Sequence, residues 1–76
     1  MTIQVRFFAS LRETMGDDKS IDKEQVNTVE DIWKLFSNNQ DMPANVLMSI
    51  NMDYVDAQSP VNDGDEVAFF PPVTGG

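Results

Sequence analysis

The chain has no cysteine and no histidine. Without thiols it can form no disulfide, hold no iron–sulfur cluster on its own ligands and offer no thiol nucleophile. Without imidazole it has no zinc site of the Cys/His type and no histidine base. Most self-contained enzyme chemistry leaves with those two residues. Basic residues are scarce as well: five Lys and Arg stand against thirteen Asp and Glu, for a net charge of −8. That balance disfavours nucleic acid and anionic membrane and steers the molecule toward a basic partner, while also serving solubility. No apolar run approaches the roughly 18 residues needed to cross a bilayer, and no charged and apolar leader precedes the first predicted strand. The expectation is a soluble, cytoplasmic chain. Its 76 residues read as one domain, 1–76, which buries only about 60% of its unfolded surface and so argues against a deep internal active site.

Periodicity supplies the elements. Thr2 to Phe8 alternates apolar and polar through Val5, placing Ile3, Val5 and Phe7 on one face of a strand. Ser10-Leu11-Arg12-Glu13 has capping-box form, Leu11 and Met15 share a face, and Gly16 stops what reads as little more than one helical turn. Lys19–Asp22 is a second strand, chiefly because the first needs a hairpin partner. Thr28 is a good N-cap for the main helix, with Glu30 and Asp31 in its first turn. Val29, Ile32, Trp33 and Phe36 form its apolar stripe, and Asn38-Asn39 closes it. Trp33 belongs to that stripe and is assigned to the core rather than to ligand stacking. Leu47–Asn51 reads as a strand, Met52-Asp53 as a tight connection, Tyr54–Asp56 as a short return strand and Asn62–Asp65 as a turn. The last strand, Glu66–Phe70, sends Val67 and Phe69 to the core and Glu66, Ala68 and Phe70 to the other face. One helix covering one face of a mixed sheet of four to five strands is an α+β, ubiquitin-like β-grasp pattern. Its first and last strands lie parallel at the centre, joined by the crossover that parallel pairing requires.

Clustered carboxylates at Asp63, Asp65 and Glu66 lack the spacing of a calcium loop and read as a turn, with Gly64 supplying a positive φ; no metal is assigned. No segment brings two carboxylates onto one apolar, pKa-shifting surface. The end of the chain is more informative. Pro71-Pro72 cannot continue a ladder and favours an extended, stiffened exit, so residues 71–76 are expected to project as a tail. Gly75 and Gly76 have no Cβ and fit a slot that any side chain would block. Pro71, Pro72, Val73, Thr74 and Gly75 are therefore the candidate threading residues, and the carboxylate of Gly76 is the candidate reactive group. Phe70, Tyr54 and Phe8 are candidate aromatic contacts for a partner, with Arg12 and Arg6 as polar anchors.

The run Asp63-Gly64-Asp65-Glu66-Val67-Ala68-Phe69-Phe70-Pro71-Pro72-Val73-Thr74-Gly75-Gly76 resembles the ubiquitin-like sulfur carriers. Val5-Arg6-Phe7-Phe8-Ala9, Leu11-Arg12-Glu13, Thr28-Val29 and Ser49-Ile50-Asn51 support the likeness. Within that family it is most similar to the small, MoaD-type subunits of molybdopterin synthase; thiazole-pathway carriers also end in diglycine but usually lack Phe-Phe-Pro-Pro. The resemblance implies a non-catalytic sulfur-donor subunit of a heteromeric sulfurtransferase, with two of each chain. It implies that an E1-like enzyme adenylates Gly76 with ATP, that a sulfur donor converts it to a thiocarboxylate, and that the large catalytic subunit receives the tail. There the sulfur would pass to a cyclic pyranopterin to form the molybdopterin dithiolene. No cofactor bound by the chain itself is implied. Two other readings remain open: a ubiquitin-like modifier that forms isopeptide bonds through Gly76, and a β-grasp interaction module with an inert tail.

Overall fold

The alternation of the first segment forms β1 (Thr2–Phe7), whose inward residues Ile3, Val5 and Phe7 are almost wholly buried. The computed structural model to which these features belong describes residues 2–43 and 45–71. β1 is followed by α1 (Ser10–Met15), β2 (Lys19–Asp22), a short 3-10 turn (Lys23–Gln25), α2 (Val29–Phe36), β3 (Leu47–Ile50), β4 (Asp53–Val55) and β5 (Glu66–Phe70). The sheet order is β2-β1-β5-β3-β4. β1 and β5 run parallel with Val5 opposite Val67 and Phe7 opposite Phe69, while the remaining pairs are antiparallel. This is the ubiquitin-like β-grasp with a five-stranded mixed sheet, and β5 occupies its middle.

The amphipathic stripe of α2 explains the core. Val29, Ile32 and Trp33 are buried against the sheet, and Trp33 meets the ring of Phe69 edge-on at 5.4 Å between centroids. Phe69 also stacks on Phe7 at 5.5 Å. Thr28 caps α2 as expected, and the cap is reciprocal. Thr28 Oγ1 accepts from the Asp31 N–H, while the Asp31 carboxylate accepts from the backbone N–H groups of Asn27 and Thr28. Asp31 thus fills the place that Glu or Gln usually takes in a capping box. Val26, Val46 and Val61 join the core from outside the strands and α2, which periodicity does not foresee. Among the described residues no helix is long and apolar enough to cross a membrane.

Two local expectations are corrected. The capping box at Ser10 does not form: Ala9, at φ 52°, takes the N-cap position and Ser10 is already helical, with no side-chain cap bond. The cause lies upstream, because the Phe8 N–H still pairs with the Phe69 carbonyl at 3.1 Å, leaving Ala9 alone to turn the chain into the helix. The β3–β4 corner lies one residue earlier than expected. Ile50 pairs with Asp53, so Asn51 and Met52 form the two-residue connection, both with positive φ (50° and 74°), and the return strand is Asp53–Val55. The positive φ at both positions is the signature of a type I′ turn, whose twist suits a hairpin. Asn51 accounts for the placement: its Nδ2 donates to Asp65 Oδ1 at 3.0 Å, its Oδ1 accepts from the Glu66 N–H at 3.0 Å, and its own N–H donates to the Glu66 carbonyl at 2.8 Å. The expected turn before β5 is present, with Gly64 at φ 84° and the Asp65 carboxylate accepting from the Asn62 N–H at 2.8 Å.

Candidate functional site

The sheet face away from α2 carries the candidate site. Register sets Arg6, Ala68, Ser49 and Tyr54 side by side in one row across β1, β5, β3 and β4. The two middle residues are small, and both are buried despite lying on the uncovered face. Larger neighbours stand around them. Phe8 and Phe70 stack nearly parallel at 4.8 Å, and Tyr54 meets Phe70 at 6.2 Å with its plane turned by 61°. The result is a shallow groove of about 370 Å³ with Ala68 and Ser49 in its floor, aromatic rings on its walls, and Met52 and Tyr54 at the hairpin side. Small residues flanked by large ones make a concave apolar surface, the usual form of a docking patch.

Charge on this face is largely internally matched. The Arg6 guanidinium lies 5.3 Å from the Phe8 ring centre, and its nitrogens approach Asp18 at 3.4 Å and Glu66 at 3.6 Å. Such half-exposed pairs contribute little to stability, but here they hold Arg6 against the groove wall. Of the residues singled out from sequence, Phe8, Phe70 and Tyr54 come together and Arg6 joins them. Arg12 does not line the groove: it sits on α1 with its Nε 3.3 Å from Asp17 Oδ1. Ser49, Ala68 and Met52 were not singled out. The register that aligns Ser49 and Ala68 with Arg6 and Tyr54 is the signal that exposes them, and it is fixed only once strand order is known.

Pro71, the last described residue at this end, is half-buried directly after Phe70. The candidate threading residues Pro72, Val73, Thr74 and Gly75 and the candidate reactive residue Gly76 lie outside the described residues. A second depression, about 390 Å³, lies on the helical side between Leu11, Met15, Trp33 and Phe36. It is not lined by β5, whose Glu66, Ala68 and Phe70 line the open-face groove, so the open sheet face is the better candidate. Among the described residues no cluster of three or more potential metal ligands converges.

Comparison with known proteins identifies the family. The ThiS family model matches residues 5–76. The chain is 40% identical over 80 residues to the molybdopterin synthase sulfur carrier subunit of Escherichia coli (strain K12), covering 97% of this chain and 99% of that one. Two solved structures share the fold. One is the small archaeal modifier protein 1 (SAMP1) of Methanosarcina acetivorans, at TM-score 0.79 and 18% identity over 99% of this chain and 96% of that chain. The other is the complex of subunits 1 and 2 of the molybdopterin-converting factor from Helicobacter pylori 26695, at TM-score 0.70 and 22% identity over the whole of both chains. At those identities the structures speak for the fold alone. Because the family match runs unbroken from the middle of β1 through Gly76, the chain belongs to the ThiS family.

Proposed function

We propose that this chain is the sulfur carrier subunit of a molybdopterin synthase, with the C-terminal carboxylate of Gly76 as the group that carries sulfur. The observation that carries the reading is the near-full-length match to the Escherichia coli sulfur carrier subunit. The open-face groove supports it, since Phe70 is both the last residue of β5 and a wall of the groove. A surface that docks on a partner is thereby continuous with the residues that would enter the partner's active site.

A carboxylate is a poor acylating group, because its charge deactivates the carbonyl and oxide is no leaving group. In the proposed cycle an E1-like enzyme uses ATP to form an acyl adenylate on Gly76. A sulfur donor then displaces AMP, leaving a thiocarboxylate whose sulfur is a stronger nucleophile than the oxygen it replaces. The large subunit binds the carrier and provides the pocket in which that sulfur attacks cyclic pyranopterin monophosphate; water then cleaves the acyl–sulfur bond and returns Gly76 as its carboxylate, and because the dithiolene holds two sulfurs, two charged carriers are spent for each one formed. This chain supplies the sulfur and the docking surface, binds no cofactor of its own, and works in the cytoplasm. The complex of subunits 1 and 2 from Helicobacter pylori supports a large-subunit partner. Ordering backbone costs about 1–2 kcal/mol per residue, so the Pro71-Pro72 pair lowers the loss on insertion.

Intact mass spectrometry of the protein after incubation with its activating enzyme, ATP and a sulfur donor tests the chemistry. The expected product has one oxygen replaced by sulfur at the C-terminus. Addition of one residue after Gly76 should leave the fold intact and abolish molybdopterin formation with the large subunit; an extended chain that still supports it would sink the proposal.

A further inference from the structure

Met52 serves no purpose within the fold that glycine would not serve better. It occupies the second position of a two-residue hairpin corner at φ 74°, where the left-handed conformation favours glycine and strains other side chains. Its side chain is 90% exposed, the most exposed of the large apolar residues described. Yet the corner is not loose: Asn51, immediately before it, is fastened to Asp65 and Glu66 by three hydrogen bonds. The chain therefore holds a flexible, polarizable thioether in a fixed place at the rim of the open-face groove, beside Tyr54. A strained, pinned and unpacked apolar residue bordering a docking groove points outward to a partner.

We propose that Met52 is a partner-contact residue, inserting its thioether into an apolar pocket on the large subunit and extending the aromatic groove toward the β3–β4 corner. This rests on the reading of the open face as the docking face. A protein partner is favoured over an anionic lipid or a nucleic acid because Asp53, Asp65 and Glu66 surround the corner in a chain of net charge −8.

The test separates binding from folding. Met52→Gly removes the side chain and relieves the backbone, so its melting temperature should be unchanged or a few degrees higher, about 0–5 °C. Its affinity for the purified large subunit, measured by titration calorimetry, should fall roughly tenfold. Met52→Leu, which keeps the apolar bulk, should bind within about twofold of the parent. A Met52→Gly chain that binds like the parent while Tyr54→Ala binds weakly would overturn the role of Met52 and leave the docking face standing. If Tyr54→Ala and Phe70→Ala also bind like the parent, the docking face itself is wrong and the proposal falls with it. A Met52→Gly chain that loses both affinity and thermal stability would show a structural role instead.

Discussion

Phe69 and Phe70 are neighbours on β5 whose side chains face opposite ways, and they should fail in opposite ways when truncated. Phe69 is fully buried, stacked on Phe7 and edge-on to Trp33. Phe69→Ala leaves a cavity in the middle of the core and should cost about 3–5 kcal/mol. A domain of 76 residues has roughly 4–11 kcal/mol in total at about 0.05–0.15 kcal/mol per residue, so this variant should be close to unfolding. Phe70 is half-buried and borders a groove open to water. Its truncation forfeits about half of a full phenyl burial, roughly 1 kcal/mol, and the stacking with Phe8, roughly 0.5–1.5 kcal/mol. The sum, about 2 kcal/mol, leaves the chain folded. Docking reverses the order: an aromatic anchor at the centre of an interface contributes about 2 kcal/mol or more, so Phe70→Ala should weaken binding to the large subunit about thirtyfold. Urea unfolding gives the first ranking and calorimetric titration the second, at a temperature where both variants are folded. Equal stability losses, or parent-like affinity in Phe70→Ala, would refute the assignment of the two faces.

Other perturbations probe the groove floor and the helix cap. Ala68→Leu adds bulk into the groove rather than the core, so stability should change by less than about 1 kcal/mol while docking is lost at least tenfold; parent-like binding would show that the floor is not used. Thr28→Ala should cost about 1 kcal/mol in urea unfolding by removing one side of the reciprocal cap. Asp31 gives that cap a pH signature. Its carboxyl is held below the ordinary carboxylate value, chiefly by the Asn27 N–H; burial opposes this as the next largest effect, and the Thr28 hydrogen bonds and the Lys34 charge add smaller lowering contributions. Because the folded value is depressed, the contribution is fully present above the ordinary value and is lost as pH falls through the folded one. The stability difference between the parent and Asp31→Asn should therefore be constant near neutrality and shrink below about pH 4. Asp31 is half-buried at the start of α2, and screening by the solvent on its open side keeps the effect small; a difference that grows on acidification would contradict the cap's role.

Much of the fold was legible because its strongest signals are local. The period-2 alternation of β1, the stripe Val29, Ile32, Trp33 and Phe36 of α2, and the run Glu66–Phe70 each reflect one face meeting one core. The misplacements occur where a distant partner decides a local choice. Ala9 caps α1 because the Phe8 N–H stays paired with Phe69, and the hairpin corner falls on Asn51-Met52 because Asn51 is bound by the start of β5. Neither constraint is visible in a window of a few residues. The aromatic members of the candidate site could be read from strand parity, but its floor could not. Ala68 and Ser49 are unremarkable residues whose importance comes from standing next to each other across two strands, β3 and β5, that have β4 and a long connection between them in sequence.

That distinction bears on how the domain presents its end. An apolar run with weak alternation, such as Glu66-Val67-Ala68-Phe69-Phe70, belongs in the interior of a sheet with both faces covered. Here β5 has hydrogen-bonded strands on both sides and α2 over one face, but its other face holds only a groove floored by small residues. The strand is therefore complete in its backbone pairing and incomplete in its packing. A partner seated on the groove would finish the burial of Phe70 and cover Tyr54 without displacing any strand, so docking needs no rearrangement of the β-grasp. The strand made rigid by the core is the same one that leads into Pro71, so under the proposed function a large subunit docked beside Phe70 would be held next to the segment that carries Gly76.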